Sequence, residues 1–299
     1  MGLDIQNYKL LCLAKKLGVD FSYTLVLGRQ EIIKSQFLQS RLLAEFGIDS
    51  SVKYLDLLLE NLGAKRVDTL DISSYEGATI IHDLNNPPPL ECVNQYTCVI
   101  DFGTLEHVFN YANALKHVMI CVAKHGHFIS STPGNNLMGH GFWQVSPELS
   151  LRAFSKSNGF LLKKLILADQ FDDSPWHEFD LAQQPHTLKS RWSEPALLTP
   201  TYLMVIAQRY LLCAPFQQPP QQLSYAERWG SNALQSEYHH SFPELNNQNY
   251  LDRHLRSLVK NILLHLGLLR FIRLWRIFVL SQHQPSYIRR VSSSEWHQY

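Results

Sequence analysis

Three aspartates follow apolar runs of the chain, where a carboxylate can hold a nucleoside. Asp71, Asp83 and Asp101 stand at the ends of three successive runs. Asp71 can accept hydrogen bonds from both hydroxyls of a ribose, and Asp83 can accept one from the exocyclic amine of an adenine. A single aspartate after a strand is explained as well by helix capping or a turn. Their joint placement after successive strands indicates a ligand site.

Two histidines, His107 and His140, are the candidates for a general base. Glu106 and His107 follow the run that ends at Asp101, and His140 lies between two glycines in a polar segment. An imidazole can accept the proton of a reacting hydroxyl. The alternatives are structural: His107 packs within the domain, His140 orders its loop, and Glu106 is a buried hydrogen-bond acceptor.

The sequence indicates neither a metal site nor a disulfide framework. His125 with His127, and the histidines of the run 237–240, lack a convincing set of further ligands. The 5 cysteines are scattered and never form a Cys-x-x-Cys pair. Together with a start that lacks the features of a signal peptide, this favours reduced thiols in a cytoplasmic protein.

Apolar runs and helical patterns alternate along the first 210 residues. Strands are predicted at 23–27, 66–71, 79–84, 96–102, 126–131, 160–168 and 201–208, and helices at 31–46, 52–62, 113–124 and 147–154. This alternation predicts an α/β fold, a Rossmann-like, doubly wound, mostly parallel sheet with a C-terminal antiparallel strand. The polar segment 169–200 is predicted to be a long loop over one end of the sheet.

Several function classes are excluded by missing motifs. The chain has no GxxxxGK[ST] loop of P-loop nucleotidases, no GxSxG elbow of α/β-hydrolases and no GxGxxG loop of NAD oxidoreductases. Basic and aromatic residues are not interleaved in the first 210 residues, so no nucleic-acid partner is expected.

The run 96–108 (YTCVIDFGTLEHV) resembles the fourth strand and following loop of class I S-adenosylmethionine-dependent methyltransferases. Its Leu-Glu-His sequence matches the motif of that family, whereas Thr97 replaces an acidic residue usual there. The ends of the second and third predicted strands resemble the parts of that family that hold the cofactor ribose and lie near its adenine. The resemblance covers residues from about 20 to 210. It implies an S-adenosylmethionine site at Asp71, Ile72, Asp83, Leu84, Asp101 and Glu106.

A second resemblance concerns the acceptor. The stretch 131–149, together with 74–78, is similar to a bacterial methyltransferase-like subgroup. In related enzymes the loop after the fifth strand lines the acceptor pocket, which implies that His140 faces the substrate.

The glycine loop after the first strand departs from the family. Only Gly28 remains where the family usually has a GxGxG-like loop, and the spacing to Asp71 is longer than usual. Either an extra helix is inserted or the nucleotide pocket is rebuilt, and Arg29 could pair with the cofactor carboxylate. The resemblance implies methyl transfer to an unidentified small-molecule, sugar or lipid-linked acceptor. The alternative is a non-catalytic module that has lost donor binding and acts as a binding or interaction protein.

The chain changes character near residue 211. The run 217–222 (QQPPQQ) suggests a linker, so residues 1–210 are predicted to form the Rossmann-like domain and 211–299 a linker with a basic, helical C-terminal extension. From 253 to 294 the chain has no acidic residue, and apolar residues recur at helical spacing. These stripes would pack on the domain or on a twin subunit in a homodimer. Alternatively, 253–280 would make peripheral contact with an anionic membrane.

Overall fold

The computed structural model describes residues 2–170, 174–179, 181, 199–222 and 288–291, the last of these by backbone alone. The chain divides into two compact units. One comprises Met1–Gln183, Leu198–Pro220 and Tyr287–Tyr299, and the other Gln184–Leu197 and Gln221–Ser286. Nearly all of the second unit, including the predicted helices at 253–280, lies outside the described residues. The predicted domain boundary near 211 stays a prediction.

One mixed sheet of nine strands organises the described part of the chain. Its strands are β1 (Tyr23–Leu27), β2 (Arg66–Asp71), β3 (Ile80–Ile81), β4 (Tyr96–Asp101), β5 (Val122–Asn135), β6 (Phe160–Asp169), β7 (Trp176–Phe179), β8 (Thr201–Arg209) and β9 (Ile288–Val291). Their order across the sheet is β3-β2-β1-β4-β5-β8-β6-β7-β9. The strands from β3 to β5 are parallel, and β8 runs antiparallel to both β5 and β6. This confirms the Rossmann-like, doubly wound sheet with an antiparallel strand.

Five helices accompany the sheet in the described residues. They are α1 (Ile5–Lys16), α2 (Gln36–Phe46), α3 (Asp56–Asn61), α4 (Tyr111–Cys121) and α5 (Pro147–Ala153). Both α2 and α3 lie between β1 and β2, so inserted helices account for the long spacing from Gly28 to Asp71. None of the described helices combines the length and apolarity needed to cross a membrane.

The segment 169–200 is not the uninterrupted loop that its composition predicts. Strand β7 lies within it and pairs antiparallel with β6. Trp176 is 1% exposed and donates a hydrogen bond from Nε1 to Oε1 of Gln6, 2.6 Å away, in α1. The aromatic residues at the two ends of β7 therefore hold a mostly polar stretch in the sheet. The backbone of β9 adds one further antiparallel strand beyond β7.

The strand order creates a topological switch point between β1 and β4. The chain continues from β1 toward β2 on one side, and β4 continues toward β5 on the other, so a crevice opens at the carboxyl ends of these central strands. Leu27 at the end of β1 pairs in register with both Leu70 of β2 and Asp101 of β4. The residues that follow these three strand ends are thereby brought side by side.

Candidate functional site

Gly28 directly follows β1 and lies at the centre of the crevice. Its φ of +67° is a left-handed conformation that favours glycine. A Cβ at this position would lie 2.7 Å from Oγ1 of Thr104 and 3.8 Å from Oδ2 of Asp71. The loop after β1 therefore packs directly against the β4 loop and beside the Asp71 carboxylate.

Asp71 ends β2 as the sequence predicts. Its Oδ1 accepts a hydrogen bond from the backbone N–H of Ser73 at 3.1 Å, which fixes the carboxylate at the strand end. Its Oδ2 lies toward Gly28. A half-buried carboxylate held in this way can accept hydrogen bonds from a diol placed over Gly28.

The side chain of Arg29 forms an ion pair with α3. Its Nη1 lies 2.7 Å from Oδ1 of Asp56, and its guanidinium stacks over the Tyr54 ring, 4.3 Å from the centroid. This ion pair competes with the predicted role of Arg29 as partner of a cofactor carboxylate. Gln30, the next residue of this loop, is buried and donates from Nε2 to the carbonyl of Leu27 at 2.7 Å.

The predicted adenine-side residues lie beyond β3 and next to β2. Strand β3 is shorter than predicted, and Asp83 follows it in a turn, accepting hydrogen bonds from the backbone and side chain of Asn85. These bonds hold the pKa of Asp83 below its usual range. Leu84 is 8% exposed, whereas Ile72 is 70% exposed. This side of the crevice thus presents one buried and one exposed apolar side chain.

Asp101 ends β4 and is fully buried. Its Oδ1 accepts hydrogen bonds from the backbone N–H groups of Thr104 at 2.9 Å and Leu105 at 3.3 Å, so it caps the single 3-10 turn formed by Leu105–His107. Its Oδ2 is buried without a hydrogen-bond partner. Burial raises the pKa of Asp101 to about 6. One oxygen of this carboxylate is therefore structural, and the other faces no donor of the described protein.

Glu106 sits in the capped turn, and its side chain is 0% exposed. Both carboxylate oxygens are buried without a hydrogen bond. Burial, and next the charge of Asp101, raise the pKa of Glu106 to about 8. The surroundings of Glu106 therefore favour its uncharged carboxylic acid over the carboxylate.

His140 and His107 complete a cluster with Glu106. Nε2 of His140 lies 3.3 Å from Oε1 of Glu106. The two atoms are close, but their geometry is not that of a hydrogen bond. The two imidazole centroids are 5.0 Å apart with the rings edge to face. Burial lowers the pKa of His140, which favours its neutral imidazole.

The loop that carries His140 is docked on the turn that carries Glu106. The N–H of Phe142 donates to the Glu106 carbonyl at 2.8 Å. Gly141 has a φ of +76°, and a Cβ there would lie 2.8 Å from the same carbonyl oxygen. The glycine thus permits the close approach that places His140 beside Glu106.

Two aromatic pairs are formed by residues that follow His107 and His140 in the chain. Phe109 and Phe142 pack edge to face with centroids 6.0 Å apart, and Tyr111 lies 6.4 Å from Trp143. Phe109 and Phe142 are largely exposed. We call these four residues the aromatic rim. The rim was not predicted from the sequence, although the Phe-Trp pair beside Gly141 was a signal for it.

No family model matches this chain, and no curated protein does. Among solved structures, the chain is similar to the 1,6-didemethyltoxoflavin-N1-methyltransferase of Burkholderia thailandensis with bound 1,6-didemethyltoxoflavin and S-adenosylhomocysteine (12% identity, 69% of this chain and 78% of that one, TM-score 0.38). It is also similar to an S-adenosylmethionine dependent methyltransferase from Mesorhizobium loti (16%, 67% and 98%, TM-score 0.38). A third is the branched-chain polyamine synthase of Thermus thermophilus (15%, 72% and 60%, TM-score 0.36). These similarities are distant, and the strand order itself defines the fold.

Proposed function

We propose that this chain transfers a methyl group from S-adenosylmethionine to a small-molecule, sugar or lipid-linked acceptor. The observation that carries the proposal is the arrangement of two carboxylates around Gly28, at the ends of the strands that flank β1. The Leu-Glu-His resemblance, now seen as a capped turn at the end of β4, supports the same family.

The residues of the crevice fit the donor. Asp71, beside Gly28, offers carboxylate oxygens to the two hydroxyls of a ribose. The buried Oδ2 of Asp101 lacks a donor, and the α-ammonium group of S-adenosylmethionine is a donor of the matching charge. Within this proposal, Ile72, Asp83 and Leu84 form the side of the crevice nearest the adenine.

The glutamate–histidine cluster is proposed to face the acceptor. When bound, S-adenosylmethionine supplies an already activated methyl group, so the protein contributes mainly alignment. The side chain of His140 is 32% exposed, and its imidazole can take the proton of an acceptor hydroxyl. His107 stands beside it, and Glu106 lies behind it as the buried partner.

The aromatic rim favours an acceptor with an apolar or ring-containing part next to its reacting group. Exposed aromatic side chains beside polar groups are common in small-molecule sites, where they cover the apolar part of the ligand. A small molecule or a glycan, whose rings stack on aromatic faces, fits this rim.

Hydrogen–deuterium exchange of the full chain with S-adenosylhomocysteine tests where the donor binds. We expect slower exchange in the segments that follow β1, β2 and β4, near Gly28, Asp71 and Asp101. The β6–β8 pair should be unchanged and serves as the internal control. Protection confined to other segments, or none at saturating ligand, would contradict the proposed site.

A further inference from the structure

Three side chains of the site have their ligating atoms close together. Glu106, His107 and His140 each offer one atom, and these atoms lie within 4.8 Å of one another. Both oxygens of Glu106 and Nε2 of His140 are buried and lack a hydrogen-bond partner. We infer that Glu106, His107 and His140 bind a divalent transition-metal ion.

A bound cation would satisfy atoms that the protein leaves unpaired. A buried carboxylate is costly unless it is paired, hydrogen-bonded or bound to a metal. Among the described residues, His140 is the basic side chain that reaches Glu106, and no lysine or arginine forms an ion pair with it. An ion between Glu106 and the imidazoles would pair both carboxylate oxygens and Nε2 with a positive charge.

The protein already holds these ligands in place. Asp101 caps the turn that carries Glu106 and His107, and the backbone of Phe142 ties the His140 loop to that turn. Such outer contacts orient metal ligands and raise affinity. The two chain segments that carry the three ligands are therefore held together by contacts other than those to an ion.

The donor set indicates the class of metal. Two imidazoles and one carboxylate suit Fe²⁺, Co²⁺, Ni²⁺ or Zn²⁺, whereas Mg²⁺ and Ca²⁺ prefer oxygen ligands alone. Three protein ligands leave coordination positions open. His140 is 32% exposed and His107 is exposed, so the open positions would face the solvent side and the aromatic rim.

The ion would serve the proposed acceptor site, and this role alone rests on the proposed function. An acceptor hydroxyl bound to the ion loses its proton to water more readily, because the metal stabilises the resulting alkoxide. His140 would then act as a ligand, and the ion would replace it as the group that promotes deprotonation.

Titration of the metal-stripped full chain with Co²⁺ tests the site without any methyl donor. Visible absorbance of the bound ion and isothermal titration should both give saturable binding of one Co²⁺ per chain. Glu106→Gln, His140→Asn and His107→Asn should each weaken binding by more than the roughly 10–100-fold of an outer-shell change. His125→Asn, an exposed histidine at positive φ that asparagine tolerates, is the control and should bind as the wild type does.

Absence of saturable Co²⁺ binding by the folded wild type would overturn the inference. Wild-type affinity for Co²⁺ in folded His140→Asn and His107→Asn would also overturn it. These two variants test the site even if Glu106→Gln fails to fold. The Co²⁺ titration contains no S-adenosylhomocysteine, so its result does not depend on donor binding. If Co²⁺ did not bind but S-adenosylhomocysteine did in a separate titration, the proposed function would stand without the metal site. The converse result would remove the proposed function and keep the metal site.

Discussion

At the scale of single residues, burial separates the carboxylates of the site into two kinds. Asp71 is half-buried and presents Oδ2 toward Gly28, so it is available to an incoming ligand. Asp101 and Glu106 are fully buried, and burial raises the pKa of both. Asp101 uses one oxygen to cap its turn, whereas neither oxygen of Glu106 is hydrogen-bonded. Acidic residues at or just after neighbouring strand ends thus differ in their chemistry, because they differ in burial and in hydrogen bonding.

Replacing Asp71 should weaken nucleoside binding. We expect Asp71→Ala to cost about 1.5–3 kcal/mol in S-adenosylhomocysteine binding, the scale for hydrogen bonds to a charged group. This corresponds to a roughly 10- to 150-fold increase in Kd, measured by isothermal titration. The control is Asp49→Ala, because exposed Asp49 makes the same kind of turn, accepting from the N–H of Ser51 at 2.7 Å. Unchanged affinity in folded Asp71→Ala would remove Asp71 from the site.

A buried histidine outside the site should make stability depend on pH. His127 of β5 is 7% exposed, and burial lowers its pKa to about 4. Between about pH 6.5 and 4 the unfolded chain therefore binds a proton that the folded chain does not. The free energy of unfolding should fall as the pH falls through this window, by roughly 1.4 kcal/mol per pH unit from this residue.

Urea unfolding at several pH values measures this dependence. Below about pH 6.5 the fall of the unfolding free energy with pH should be less steep in His127→Asn than in the wild type, and above it the two slopes should agree. His125→Asn, the same substitution at an exposed position two residues away, is the control variant measured alongside. Parallel profiles for His127→Asn and the wild type would show that His127 does not titrate in this way.

The residue types of the site were predictable, whereas their partners were not. Asp71 and Asp101 were identified because residues at the carboxyl ends of successive parallel strands converge. Glu106, His107 and His140 were identified from the resemblance of their segments to methyltransferases. Arg29 forms an ion pair with Asp56, and Thr104 packs against Gly28. Because these partners lie far apart in sequence, no local sequence pattern predicts the contacts.

At the scale of elements, the crevice depends on how closely the loop after β1 packs against the loop after β4. Oγ1 of Thr104 donates to the carbonyl of Leu27 at 2.8 Å and fills the space where a Cβ of residue 28 would lie. Gly28 therefore allows the loop after β1 to pack closely against the loop after β4. This contact forms without a bound ligand.

Substitution of Gly28 should show this packing. Gly47, at the end of α2, has the same φ of +67°, but nothing lies within 4 Å of where its Cβ would be, so Gly47→Ala reports the backbone cost alone, roughly 1–2 kcal/mol. Gly28→Ala should lose clearly more stability in urea unfolding, because its Cβ would lie 2.7 Å from Thr104 Oγ1. An equal loss of unfolding free energy in Gly28→Ala and Gly47→Ala would mean that the two loops can move apart without destabilising the protein.

Elements with a regular apolar pattern were predicted well, and those held by polar contacts were not. The predicted bounds of β1 and β2 coincide with those of the structure, since each is a short apolar or alternating run closed by a turn. Helix α1 was not predicted, because it buries Gln6 and Asn7 and its apolar stripe is interrupted. The same Gln6 binds Trp176 of β7, the strand that composition had assigned to a loop.

At the scale of the whole molecule, the alternation of strands and helices predicts a parallel sheet but not its order. The reversal between β1 and β4, which creates the crevice, arises from pairing between strands separated by whole helices. The basic tail at 253–280 lies outside the described residues. Its packing on the domain, on a twin subunit or on an anionic membrane stays a prediction.

Isothermal titration of the full wild-type chain with S-adenosylhomocysteine tests the proposed donor site most directly, because it needs no knowledge of the acceptor. We predict saturable binding with one ligand per chain, competed by S-adenosylmethionine. Adenosine should compete more weakly, since it lacks the ammonium group proposed to meet Asp101. The absence of saturable heat at millimolar ligand, in protein shown to be folded by circular dichroism, would contradict donor binding and favour a module that has lost it.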